Sequence, residues 1–161
     1  MKLLSVILLS NFFVFSGIYA AEKGISIAVE LSPAGSFEIK GKVKGSVKKS
    51  GPGYLAKKLS FKVKRLKTGI DLRDKHTKEK LKYKKYSSIV VTDAKGSGGK
   101  GTGIINVRGK KQKFNFSYKE VGKYVQAKFN LSLKSFGFKG ISYMGVGVKD
   151  KVTVTATVPV K

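Results

Sequence analysis

The sequence predicts an all-β, antiparallel fold in a single domain, and three observations carry the prediction. Apolar residues recur at every second position through most of the chain. In most of these runs the positions between them are Lys, Ser, Thr or Asn, the pattern of an antiparallel sheet with one wet face. Many of the 19 glycines gather between the runs, where a chain that turns sharply needs a residue tolerant of positive φ.

Ile25, Ile27, Val29 and Leu31 form the first alternation; Phe37, Ile39 and then Val43 form the second. Leu59, Phe61 and Val63 alternate with Ser60, Lys62 and Lys64. Ile89 and Val91 open a short run. Ile105 and Val107 lead into a turn at Gly109-Lys110-Lys111, and Phe114, Phe116 and Tyr118 return from it. Val125, Ala127, Phe129, Leu131 and Leu133 form a long strand, and Val152, Val154, Ala156, Val158 and Val160 close the chain. About eight such strands suit a closed barrel or a sandwich, and a barrel also removes exposed edges. Asp71 to Tyr86 has no strand period. It is predicted to hold a short helical segment near 74–85, its N-terminus capped by the Asp74 carboxylate. The stretch Gly96 to Gly103 is read as a turn.

Ahead of the strands, Lys2, the apolar run Leu3 to Ile18 and the small residues Ala20 and Ala21 have the layout of a cleaved secretory signal peptide. The run is shorter than the roughly 20 apolar residues of a spanning helix. Residues 1–20 are therefore expected to be removed, and 21–161 to form the domain, in the periplasm or outside the cell.

Lys and Arg number 34 against 9 Asp and Glu, a formal charge of +25. An imbalance of this size favours anionic partners. An exported protein rarely meets nucleic acid, so no nucleic-acid partner is expected; an anionic membrane surface or an acidic polymer fits better. The lysines crowd three places: Lys57, Lys58, Lys62, Lys64 and Lys67; Lys75 through Lys85; and Lys110, Lys111 and Lys113. A solvated outer face that keeps the protein soluble is the competing explanation.

The chain has no cysteine, which excludes disulfides, thiol catalysis and a lipid anchor on an N-terminal Cys. Gly96-Ser97-Gly98-Gly99-Lys100-Gly101 is not a phosphate loop, since Gly follows the Lys and no helix pattern comes after. His76 is the one histidine and has no Cys or second His to share a metal. No Ser is marked as a nucleophile by a base and its orienter. Asn115-Phe116-Ser117 and Asn130-Leu131-Ser132 match a glycosylation pattern, but both fall inside predicted strands. No catalytic residue, metal or cofactor is expected, and the protein is read as a non-enzyme.

Taken in order, several segments resemble the YceI family of exported lipid-binding proteins. Leu66-Lys67-Thr68-Gly69-Ile70-Asp71-Leu72-Arg73-Asp74-Lys75-His76 is similar to the family's aliphatic-x-Thr-Gly turn followed by Arg-Asp-x-His. Gly103-Ile104-Ile105-Asn106-Val107-Arg108-Gly109 resembles its Gly-x-Leu-Thr-Ile-x-Gly hairpin, with Lys113-Phe114-Asn115-Phe116 as the return strand. Ser135-Phe136-Gly137 resembles the end of its Arg-x-Asp-Phe-Gly motif, and Val148 to Val152 its last turn. Three departures mark a divergent member. Leu133 and Ser135 stand where the family has Arg and Asp; Lys111-Gln112-Lys113 replaces Thr-Lys-Pro; and Lys and Tyr follow His76 in place of a Phe-Phe-Asp run.

The resemblance implies an antiparallel lipocalin-like barrel with an apolar tunnel for polyisoprenoid or quinone-like lipids, and no catalytic site. The interior of an eight-stranded barrel is just wide enough for side chains or one slim ligand. Phe61, Val63, Ile105, Phe114, Phe116, Phe129 and Leu131 are the expected lining, although the same residues would serve a filled core. Thr68, Gly69, Arg73, Asp74, His76, Phe136 and Gly137 are expected in structural roles, with Thr68 and Gly69 in a turn and Arg73 or Asp74 pinning the irregular segment at the barrel mouth.

Overall fold

In the computed structural model, which describes residues 21–161, the alternating runs become antiparallel strands with their apolar positions turned inward. The expected leader, residues 1–20, lies outside the described residues. The strands are β1 (Gly24–Ser32), β2 (Ser36–Gly41), β3 (Val43–Lys44), β4 (Lys48–Ser50), β5 (Gly53–Lys62), β6 (Ser88–Ser97), β7 (Lys100–Val107), β8 (Lys110–Val121), β9 (Tyr124–Ser132), β10 (Ser142–Tyr143) and β11 (Val146–Pro159). One α-helix, α1 (Asp71–Lys80), and two short 3-10 turns, at Val63–Arg65 and Lys134–Phe136, interrupt them.

The pairing order is β2-β1-β11-β9-β8-β7-β6-β5-β3. Its first and last members are successive pieces of one strand, broken only at Lys42, so β2 pairs β1 on one side and β3 pairs β5 on the other. The sheet therefore comes round on itself as a barrel. The count of eleven exceeds the expected eight for a simple reason. The break at Lys42 divides one stave in two, and β4 and β10 are short additions that pair with β5 and β11. Eight staves remain.

Two local expectations change. The glycine stretch is not one turn: the bend is confined to Gly98 and Gly99, whereas Gly96 lies in β6 and Gly101 and Gly103 in β7. The reason is the aromatic face of β8. Gly101 pairs with Phe116 and Gly103 with Phe114, and a Cβ on Gly101 would stand 2.4 Å from the Phe116 ring. Bare backbone gives those rings room. The helix covers 71–80 rather than 74–85. Leu81 ends it, and Lys82 turns the chain with φ 50°. Asp74 thus lies inside the first turns, and the N-cap position falls to Ile70, whose side chain makes no capping bond.

An apolar chamber open at one end

The inward face of the barrel is divided along its axis. In one half the rings pack against each other. Phe114 stands 4.4 Å from Phe129 and 5.7 Å from Phe116 between ring centroids, and Tyr54 meets Tyr118 edge-on at 5.8 Å. Only about 50 Å³ of space is left among them. The Tyr54 hydroxyl donates to Glu120 Oε1 at 2.5 Å; that carboxylate, then burial, pushes the phenol up to about 12.

The other half is hollow, with a cavity of about 690 Å³. Ile27, Val29 and Leu31 of β1, Phe37 and Ile39 of β2, Leu131 of β9, and Val148, Val152 and Val154 of β11 form its walls. Leu66, Leu133, Phe136, Phe138 and Ile141 add the connecting segments. Two of the wall rings are backed by cations: the Arg73 guanidinium lies 4.5 Å from the centre of Phe37 and that of Arg108 lies 4.4 Å from Phe138.

Helix α1 borders the opening. Arg73, His76, Thr77 and Lys80 line the cavity from it, at i, i+3, i+4 and i+7, so one helical stripe faces the space. Together with Ser142 and the Tyr143 hydroxyl they are its polar edge, and no carboxylate lines it. A short helix with that polar stripe has little apolar packing of its own to hold it; Asp74 does so instead. The residue is 4% exposed. Its Oδ1 accepts from the Thr68 N–H at 2.6 Å and the Thr68 hydroxyl at 2.8 Å, and Lys67 Nζ lies 3.1 Å from Oδ2. Burial opposes the charge, but these partners outweigh it and hold the carboxyl at about 2. The Lys67 backbone in turn exchanges hydrogen bonds with Lys40 of β2, which ties the helix to the barrel.

The far side of the mouth is built by a second carboxylate. Asp150 Oδ1 accepts from the Lys134 N–H and Oδ2 from the Ser132 hydroxyl, both at 2.8 Å, and its own carbonyl accepts from the Leu133 N–H. The hydrogen bonds from Lys134 and Ser132 hold its carboxyl below the usual range. They fix the turn that ends at Gly137, φ 77°, and place Phe136 in the chamber wall.

The seven side chains expected in the lining fall into three groups. Leu131 lines the chamber. Phe61, Phe114, Phe116 and Phe129 surround the small space in the packed half. Val63 and Ile105 are buried in the core and border neither space. Of the motif residues, Arg73, His76 and Phe136 line the chamber; Thr68, Gly69, Asp74 and Gly137 shape the segments around it. Sequence reasoning missed Phe37, Ile39, Leu66, Phe138, Ile141 and Tyr143 as lining. Phe37 and Ile39 did stand in an alternating run, but the rest lie where no strand period is visible. Leu133, at a position where the resembling pattern has Arg, adds an aliphatic wall. Among the described residues no group of three His, Asp or Glu is placed to hold a metal.

Fold and chamber together define a hollow antiparallel barrel with one apolar compartment, closed at one end by packed rings and bordered at the other by a helix. The chain belongs to the YceI-like domain family, whose model matches residues 22–160. Solved structures agree on the fold. BcnA of Burkholderia cenocepacia superposes with a TM-score of 0.65 at 15% identity, over 84% of this chain and 94% of that one. A polyisoprenoid binding domain from Saccharophagus degradans, implicated in plant cell wall breakdown, gives 0.56 at 13% identity over the same shares. A mutant CJ YCEI protein gives 0.54 at 16% identity, over 73% of this chain and 79% of that one. No curated protein matches the sequence.

Proposed function

We propose that this protein is an exported lipid-binding protein that holds one long apolar chain, polyisoprenoid or quinone-like, in the chamber, and that it acts as a carrier rather than an enzyme. The observation that carries the reading is the chamber itself: about 690 Å³ lined by aliphatic and aromatic side chains, with polar groups only along one edge. Its volume falls in the range of small-molecule sites, roughly 300–1,000 Å³. Each methylene moved from water into such a lining contributes about 0.8 kcal/mol, so a long chain binds without charged recognition, its polar end at the mouth beside Arg73, His76 and Lys80. Likeness to the Saccharophagus polyisoprenoid binding domain supports the ligand class. A binding role is further supported by the chemistry at the mouth. Asp74 and Asp150 are committed to structural hydrogen bonds, and His76 packs against Tyr143 at 5.8 Å with no carboxylate lining the same space.

Native mass spectrometry of the protein purified without detergent from its own host tests the reading. An added lipid mass is expected, and isolated long-chain lipid should raise the melting temperature of emptied protein as ligand linkage requires. Protein that is always empty, with a melting temperature indifferent to long-chain lipids, overturns it. Export is checked separately: the mature chain should begin near Ala21 or Glu22, and an intact Met1 in the exported fraction would refute it.

A further inference from the structure

Six large apolar side chains stay exposed among the described residues, and five of them border the chamber mouth. Ile70 and Leu72 come from the start of α1; Tyr143, Met144 and Val146 come from the hairpin of β10 and β11. The two sides meet where His76 and Tyr143 approach. The sixth, Ile104, lies on β7 and borders neither cavity.

Folding does not account for this lip. On α1, Leu72 is 53% exposed while the charged Asp74 is the buried residue. At the hairpin tip, Met144 and Gly145 have φ of 49° and 78°, the two-residue turn in which both central positions are left-handed. Asn or Gly suits the first of these positions, and a side chain such as Met is strained there. Met144 is nevertheless 84% exposed, so burial does little to offset the strain.

Charge selects the occupant. Residues 64–85, which contain one side of the lip, hold ten Lys and Arg against Asp71, Asp74 and Glu79, and Asp74 is already paired with Lys67. A second copy would bring one +25 chain against another. An anionic bilayer complements both the apolar lip and its basic surroundings.

We propose that the chamber mouth docks on the surface of an anionic phospholipid bilayer, with Leu72, Tyr143 and Met144 entering the headgroup region and the lysines of 64–85 facing the lipid charge. Docked in this way, the chamber opens toward the bilayer, and a chain passes between the two without crossing water. The docking goes beyond the lipid-binding reading and does not require a loaded chamber.

Co-sedimentation of the mature chain with vesicles is the test, using phosphatidylcholine alone or mixed with phosphatidylglycerol. The wild type should bind the mixed vesicles, less well as salt rises, and should bind phosphatidylcholine weakly. Leu72→Ser combined with Met144→Asn should reduce binding on the order of tenfold. The Asn-Gly turn this creates favours the hairpin, and a melting curve no lower than that of Leu72→Ser alone confirms it. Ile104→Ser, away from the mouth, should bind as the wild type does. Wild-type protein that ignores the mixed vesicles, a double variant that binds them normally, or a wild-type dimer dissolved by the lip substitutions would each overturn the proposal. Lipid mass retained by the double variant would leave the chamber reading standing whatever the vesicles show.

Discussion

Asp74 shows how one side chain positions a site without touching what the site holds. It accepts twice from Thr68, pairs with Lys67 and sits almost wholly out of water. Replacement by Ala removes the charged acceptor of the half-buried Thr68 N–H, a loss of about 1–3 kcal/mol, and urea unfolding at neutral pH should read it directly. The same carboxylate makes a pH signature. Its pKa is lowered on folding from 3.8 to about 2, so its contribution is complete above the unfolded value and is lost as pH falls through the folded one. That contribution is roughly 2 kcal/mol by linkage. Between about pH 4 and pH 2 the wild type should lose more stability than Asp74→Ala, and parallel curves would refute the assignment. The motif Arg73-Asp74-x-His76 marked this spot in the sequence, with Arg73 or Asp74 expected to pin the irregular segment. What the sequence hid was the direction of the bonds. Asp74 resembled a helix cap because Ile70 offers no polar side chain, and only the fold shows α1 starting at Asp71 and Asp74 reaching back to Thr68. The Tyr54–Glu120 bond, between residues 66 apart in the chain, had no local signal at all.

Among the elements, β9 carries the division between the packed and hollow halves. Phe129 belongs to the ring cluster, and Leu131, two residues on and on the same face, lines the chamber. Alternation tells which face a residue takes but not its height along the barrel axis. Height depends on register and shear, which arise from pairings such as Phe129 with Val154 and Gly101 with Phe116. For this reason the strands were legible from the sequence, while the seven expected lining residues divide among the chamber, the ring cluster and the surrounding core. The glycines opposite Phe114 and Phe116 become meaningful only once that register is known. Phe129→Leu tests the division. It keeps an apolar side chain and should cost less than about 1.5 kcal/mol, yet it removes the ring that packs, tilted, against Phe114 at 4.4 Å between centroids. The chamber should lengthen toward the ring cluster, and the preferred chain length of added fatty acids or isoprenols should increase in a thermal-shift series. An unchanged preference with a normal melting curve would show that Phe129 does not set the chamber floor.

At the scale of the whole molecule, charge opposes folding. The chain carries 34 Lys and Arg against 9 Asp and Glu, and the described residues form three ion pairs, of which Lys67–Asp74 alone has a buried partner. Most of the remaining cations stand on a closed barrel, where folding brings them nearer to one another than an extended chain would. Self-repulsion of that kind acts through solvent and is screened by salt, with a Debye length of about 30 Å at 0.01 M and about 10 Å at 0.1 M. Sodium chloride raised over that range should therefore raise the melting temperature, by about 2–4 °C for each kcal/mol of repulsion removed in a domain of roughly this size. The same addition should weaken attachment to anionic vesicles, because the charges that repel one another are those that attract the lipid. Opposite responses to one variable, measured on one preparation, separate this cause from general salting effects on the apolar core, which would strengthen burial at the mouth and in the barrel together. A melting temperature that does not rise across the range would mean that repulsion among the lysines does not oppose folding. The basic surface would then have to be explained by what it meets outside the molecule.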